Sequence, residues 1–222
     1  MFGHGKARRP EFHLPQPDLT NATIGLDSSA RSVQNLSYEY CIQEHAMNIL
    51  AYLFVVFAVL VHARAVPMPF HFTPVAAALL FFGARMPRKQ MITPLALLIL
   101  SDIYLNKFVY GYPLGWDQSV VFVWYLVIML FGGLLARNTS ALRVAGASLV
   151  ASISFFVVSN FAVWTVSREM YPATWHGLVT CYIAAIPFFR NTAVSDLLFS
   201  AAFFGAGYLL SHRQQERASI AM

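Results

Sequence analysis

Residues 44–63 read EHAMNILAYLFVVFAVLVHA, and the change of composition inside this stretch decides the fold. Up to Met47 the chain is mostly polar, with Pro10, Pro15, Pro17 and charges of both signs. From Asn48 to Ala63 it carries no acid, lysine or arginine. Similar apolar blocks, broken by short polar punctuation, recur almost to the C-terminus. The 222 residues are 58% hydrophobic and only 11% charged, against about 25% charged in an ordinary soluble domain. One core cannot hide that much apolar surface, so lipid is the expected solvent for most of it. The chain reads as an all-α, polytopic transmembrane helical bundle.

A hydrocarbon core about 30 Å thick asks for roughly 20 apolar residues in helix. Six segments approach that length: 48–63, 73–83, 91–108, 119–136, 142–166 and 192–210. The second is short and is entered through Pro69 and Pro74. A further apolar piece, 177–189, contains Pro187 and is too short to cross comfortably, which predicts a short interfacial or re-entrant helix. The expected organisation is a disordered polar extension over 1–46, a six-helix transmembrane domain over 47–211 and a cytoplasmic tail over 212–222. Within the extension, residues 35–46 can prolong the first helix into water. No apolar stretch follows Lys6, Arg8 and Arg9, so no cleavable signal peptide is expected, and Met47 is a candidate alternative start.

Basic residues orient the spans. With the N-terminus inside, the internal loops hold Arg85, Arg88, Lys89, Arg137, Arg143, Arg213 and Arg217, and the external loops hold Arg64, Lys107, Arg168 and Arg190. Counting 177–189 as a crossing erases this bias, so six spans with both ends inside is the expected topology. The net charge of +5 is spread over helix ends rather than gathered in a patch, which argues against nucleic acid as a partner. Cys41 and Cys181 have no CxxC spacing and read as a tail thiol and a small core residue. Gly132 with Ala136, Ala147 with Ala151, and Ala201 with Gly205 have the small-xxx-small spacing of close helix packing.

Of ten acids in the chain, only Asp102 and Asp196 fall inside apolar spans. An ionised carboxylate at the bilayer centre costs at least ~2.5–3.5 kcal/mol, so each must face a partner or water. Two readings fit, a structural clasp between helices and a ligand or ion site. Depth favours a common location, because Asp102 and Asn106 on the third span, Asn160 and Trp164 on the fifth, and Asp196 on the sixth all fall toward the outer face. Ser148, Ser152 and Ser159 share one helical face and predict a polar seam. Tyr110, Tyr112 and Trp116 in one external loop, with Tyr171, Trp175 and His176 in another, are either interface anchors or a roof that stacks on a ligand. Arg190 either snorkels to headgroups or neutralises Asp196 or an anionic ligand. His62 and His71 flank the first external turn. No HExxH, GxSxG, Walker, CxxC or EF-hand pattern occurs, so neither an enzyme nor a nucleotide-driven motor is expected, no metal site is assigned and the cofactor is left open.

FTPVAAALLFFGA (72–84), LLILSDIYL (97–105), SNFAVW (159–164), MYPATWHGL (170–178) and AIPFFRNTAVSDLLFSAAFF (185–204) resemble an uncharacterised family of bacterial integral membrane proteins over about residues 47–210. More distantly, the arrangement is similar to the substrate-binding S components of energy-coupling-factor vitamin transporters. Those are compact six-helix proteins whose last helix often opens with Pro-Phe and then Asp, as Pro187, Phe188 and Asp196 do here after a longer gap. The lysine that typically follows is Leu197 or Leu198 in this chain. Ala51 and Ala58 stand seven apart on the first helix, where S components tend to carry an alanine-spaced docking motif, and the four-residue spacings from them meet Val55 and His62. The resemblance implies a vitamin- or cofactor-like ligand bound from outside in a bacterial inner membrane, and the depth of the polar residues and the loop aromatics place its expected contacts at Asp102, Asn106, Asn160, Trp164, Tyr171, Trp175, Arg190 and Asp196. The alternative expectation is a non-catalytic structural or assembly subunit of a larger membrane complex. The expected partners are the lipid bilayer, a small-molecule ligand and a further membrane protein.

Overall fold

The computed structural model describes residues 19–66, 68, 72–111 and 113–220. His4, His13, His71, Tyr112 and the tail over 1–18 lie outside the described residues. Among those described there are six α-helices and no strand: α1 (Leu19–His62), α2 (Val75–Arg85), α3 (Ile92–Tyr104), α4 (Trp116–Gly132), α5 (Ala141–Val166) and α6 (Trp175–Ile220). Five apolar segments are long enough to cross a membrane, namely Cys41–His62, Arg88–Tyr110, Trp116–Leu135, Ala141–Val166 and Trp175–Arg213. Large apolar side chains point outward from all of them, among them Leu53, Ile92, Val123, Leu142, Ile183 and Leu209. The chain is a multi-pass membrane protein whose outer surface suits lipid.

Local sequence explains most of the helix ends. Between Leu19 and His62 there is no proline, so α1 runs unbroken and begins well before the 35–46 extension expected from sequence. It closes at Arg64, which adopts the left-handed backbone at φ 63° while Ala65 N–H returns to the Leu60 carbonyl. Pro94 lies in the first turn of α3, where its missing N–H leaves no intrahelical bond unmade. After Tyr104 the helix relaxes into a π-helical turn over Leu105–Tyr110, ended by Gly111 at φ 69°, a conformation glycine adopts without steric cost.

The core is organised around α2. Every residue from Val75 to Ala84 is buried, which suits a helix that is apolar on all sides. It packs against α1, α4, α5 and α6. The approach to α4 is backbone to backbone: a Cβ on Gly83 would collide with the Met129 carbonyl, and one on Gly132 with that of Leu80. Aromatic rings complete the contact with α1 and α6, where Phe54 stacks on Phe203 at 3.9 Å between centroids and meets Phe81 edge-on. Of the small-residue pairs, Gly132 and Ala147 with Ala151 are buried. Ala201 and Gly205 instead face outward, with open space around Gly205.

Residues 177–189 are not a separate interfacial helix. They form one helix with 192–210, and Pro187 sits inside it. Proline removes one i→i−4 bond, here to the Ile183 carbonyl, but flanking turns can carry the helix through. The apolar segment of α6 has 39 residues, about 58 Å at ~1.5 Å per residue. It therefore exceeds a single perpendicular crossing of a ~30 Å core.

A candidate polar cleft inside the bundle

Asp102 lies on the last turn of α3, next to the π-helical turn. Its carboxylate is clasped from two other helices. His62 Nε2, at the C-terminal end of α1, lies 2.8 Å from Oδ1, and Tyr125 Oη of α4 donates to Oδ2 at 2.9 Å. The contact with a carboxylate fixes the imidazole with its proton on Nε2. Asn106, one turn on, donates Nδ2 to the Asp102 carbonyl at 2.9 Å and to Gln118 Oε1 at 3.1 Å. Both oxygens of the acid thus have partners, which is the condition for keeping it at 6% exposure in a low-dielectric interior.

Asp196 has a different surrounding. It lies on α6, is 2% exposed, and takes Ser152 Oγ on Oδ2 at 2.6 Å. The same serine lies 3.1 Å from the Ser148 carbonyl, and its single hydroxyl proton favours the shorter contact to Asp196. Ser200 Oγ donates to Ser148 Oγ at 3.3 Å. Ser195 Oγ donates to the Thr73 carbonyl and to that of Thr192. The serine stripe of α5 therefore does face a polar seam, shared with α6.

The two acids open onto adjoining cavities. The first, about 280 Å³, is lined by His62, Arg64, Asp102, Asn106, Tyr110 and Gln118 among others. The second, about 200 Å³, holds Asp196, Thr192, Val75, Ala76 and Trp124. His62, Thr73, Tyr125 and Phe155 line both, so the cavities are neighbours, with Asp102 in the first and Asp196 in the second. Asn160 lines a third cavity of about 230 Å³ between α5 and α6, which shares Phe155 and Thr192 with the second. Arg64 stands at the rim, where its left-handed backbone brings Nη2 to 3.3 Å from Tyr110 Oη.

The remaining residues expected at the site stand elsewhere. Trp164 donates Nε1 to the Pro172 carbonyl at 3.0 Å and carries the Arg168 guanidinium 4.5 Å above its ring. Its face is taken by a cation from its own loop. Trp175 is 78% exposed, Tyr171 is half-buried and Arg190 is exposed. None of these four lines the three cavities. The structure adds residues that sequence reasoning missed: Thr73, Gln118, Tyr125, Phe155 and Thr192. A polar residue inside an apolar helix was the available signal for Tyr125. His62 carried the same signal, and its partner 40 positions away is supplied by the fold. Among the described residues no three His, Cys, Asp or Glu side chains are grouped to hold a metal ion.

Helices around a buried polar cleft define an all-α, multi-pass membrane protein. The chain belongs to the Family of unknown function (DUF6580), whose sequence profile matches residues 43–218. No curated protein and no solved structure matches it.

Proposed function

We propose that this protein binds a small molecule within the membrane and serves its uptake, without catalysing a reaction on it. The observation that carries this reading is a pair of adjoining cavities, one lined by the buried carboxylate of α3 and the other by that of α6, with His62, Thr73 and Tyr125 common to both. A purely structural clasp would close around its acids, whereas here polar side chains of several helices are directed into a volume fit for a ligand. Asp196, Thr73 and Thr192 offer acceptors and hydroxyls, and Phe155 and Tyr125 offer ring faces. On this reading the chain sits in a bacterial inner membrane with its basic loops on the cytoplasmic side. It captures its ligand as an S component would, handing it on through an energising partner.

The test is mass spectrometry of small molecules released from protein purified in mild detergent. A discrete species is expected from the native chain and is expected to be lost from the double variant Asp102→Asn, Asp196→Asn. Unchanged occupancy in a folded double variant rejects the site. A second reading, an assembly subunit, is favoured by the outward-facing Ala201 and Gly205 on α6. It predicts a stoichiometric membrane-protein partner and no released ligand.

A further inference from the structure

The third cavity has a geometric origin that bears on the kind of molecule bound. Helices α5 and α6 run antiparallel and are pinned at two places. At one, Ser152 meets Asp196. At the other, Cys181 Sγ reaches the Asn160 carbonyl at 3.5 Å and Tyr182 Oη donates to the Val157 carbonyl at 2.6 Å. Between the Ser152 and Asn160 contacts α5 advances eight residues, 152 to 160, while α6 advances fifteen, 181 to 196. At ~1.5 Å per residue that is about 12 Å against about 22 Å. The surplus of α6 contains Pro187 and does not lie flat along α5. The third cavity fills the mismatch, with Ala185, Phe188 and Phe189 on one wall and Phe156 and Val163 on the other.

No acidic or basic side chain lines this cavity, whereas each of the two it adjoins holds a carboxylate. Its walls are mainly aromatic and aliphatic, and Asn160 and Ser159 bond back to their own helix, to the Phe156 and Phe155 carbonyls. On its outer side Phe188 is 46% exposed and Val163 is 37% exposed, in a surface otherwise suited to lipid. On its inner side Thr192 and Phe155 are shared with the cavity of Asp196. A chamber holding one carboxylate thus adjoins a slot that holds none and is bounded by exposed side chains of two helices.

We infer that the ligand is a single-chain amphiphile with an amine-bearing head, which enters from the bilayer between α5 and α6. The head lies at Asp196 with the hydroxyls of Thr73 and Thr192, and the apolar chain lies in the α5–α6 slot beside Phe156, Phe188 and Phe189. Asp196 is the acid assigned to the amine because Asp102 has a partner on each oxygen, whereas Ser152 accounts for one oxygen of Asp196. This inference rests on the binding reading above and adds the ligand class and its route.

The test uses tetradecylamine carrying a mid-chain diazirine, with the full chain in phosphatidylcholine nanodiscs, followed by illumination and peptide mapping. Labelling is expected to concentrate on residues 155–163 and 185–192 and to be displaced by excess decylamine. Asp196→Asn is expected to lower it about tenfold, through loss of a charge-assisted hydrogen bond. Ala185→Phe, which fills the slot, is expected to abolish it, while Ala184→Phe, on the exposed side of the same turn, is expected to leave it intact. Labelling spread over outward residues such as Leu142 and Leu209, independent of Asp196, overturns the proposal. So does displacement by butylamine at the same concentration as decylamine, an outcome that leaves a polar binding site standing. A soluble polar species released in the mass-spectrometric experiment, with no localised labelling, likewise keeps the binding function and removes the amphiphile.

Discussion

Asp102 illustrates how one buried charge ties three helices together. His62 and Tyr125 approach its two oxygens from α1 and α4, so removing either leaves a lone pair desolvated. Tyr125→Phe is expected to destabilise the protein by about 1–3 kcal/mol, the usual cost of an orphaned buried hydrogen-bonding group. The His62→Gln and Asp102→Asn pair is expected to be non-additive by about 1–3 kcal/mol, because the residues share one contact. A double-mutant cycle on unfolding in mixed micelles reads both values, and additivity within ~0.5 kcal/mol would mean that the contact carries no net stability. Ser152→Ala removes the donor to Asp196 and is expected to cost a similar amount, because it leaves a buried oxygen without its hydrogen-bond partner.

At the scale of elements, two glycines make opposite predictions. Gly132 touches the α2 backbone, whereas Gly205 faces open space. Gly132→Ala is expected to lower the unfolding free energy by about 1–3 kcal/mol, the cost of overpacking a close contact. Gly205→Ala is expected to change it by less than ~0.5 kcal/mol, as surface substitutions generally do. Sequence spacing marks both glycines alike, because a small-xxx-small pair specifies a surface that allows close approach without saying what approaches. The same limit applies to the polar residues. An acid or a carboxamide in an apolar segment is conspicuous, and Asp102, Asn106, Asn160 and Asp196 were legible for that reason. Thr73, Thr192 and Phe155 are ordinary residues in their segments, and only the packing of α2 against α4, α5 and α6 brings them to the cleft. Aromatic loop residues such as Trp175 gave a misleading signal, since amphipathic rings collect at membrane interfaces whether or not a ligand is near. Pro187 does not separate 177–189 from the last span, because in a membrane bundle neighbouring helices and local backbone adjustment re-satisfy the group that proline frees.

For the whole molecule, the two cysteines report the packing directly. Cys41 is exposed and Cys181 is buried at the α5–α6 contact. An uncharged maleimide is therefore expected to modify one thiol per chain in native detergent-solubilised protein and two after denaturation in SDS, counted by intact-mass measurement. Two fast-reacting thiols in the native state would contradict the pinning of α6 at Asn160. The long α6 joins the serine seam, the third cavity and the aromatic contact with α1, so this count also bears on the slot from which the amphiphile is inferred.

The enclosure of α2 has a consequence for biogenesis. Its 11 residues cover about 16 Å, roughly half the hydrocarbon thickness. It is therefore too short to partition into lipid as an independent span. The walls that shelter it include α6, which is synthesised after α3, α4 and α5. Insertion cannot be completed helix by helix in order of synthesis. The α1–α2 segment must wait, held by the insertion machinery or by α1 alone, until α6 arrives to seal it.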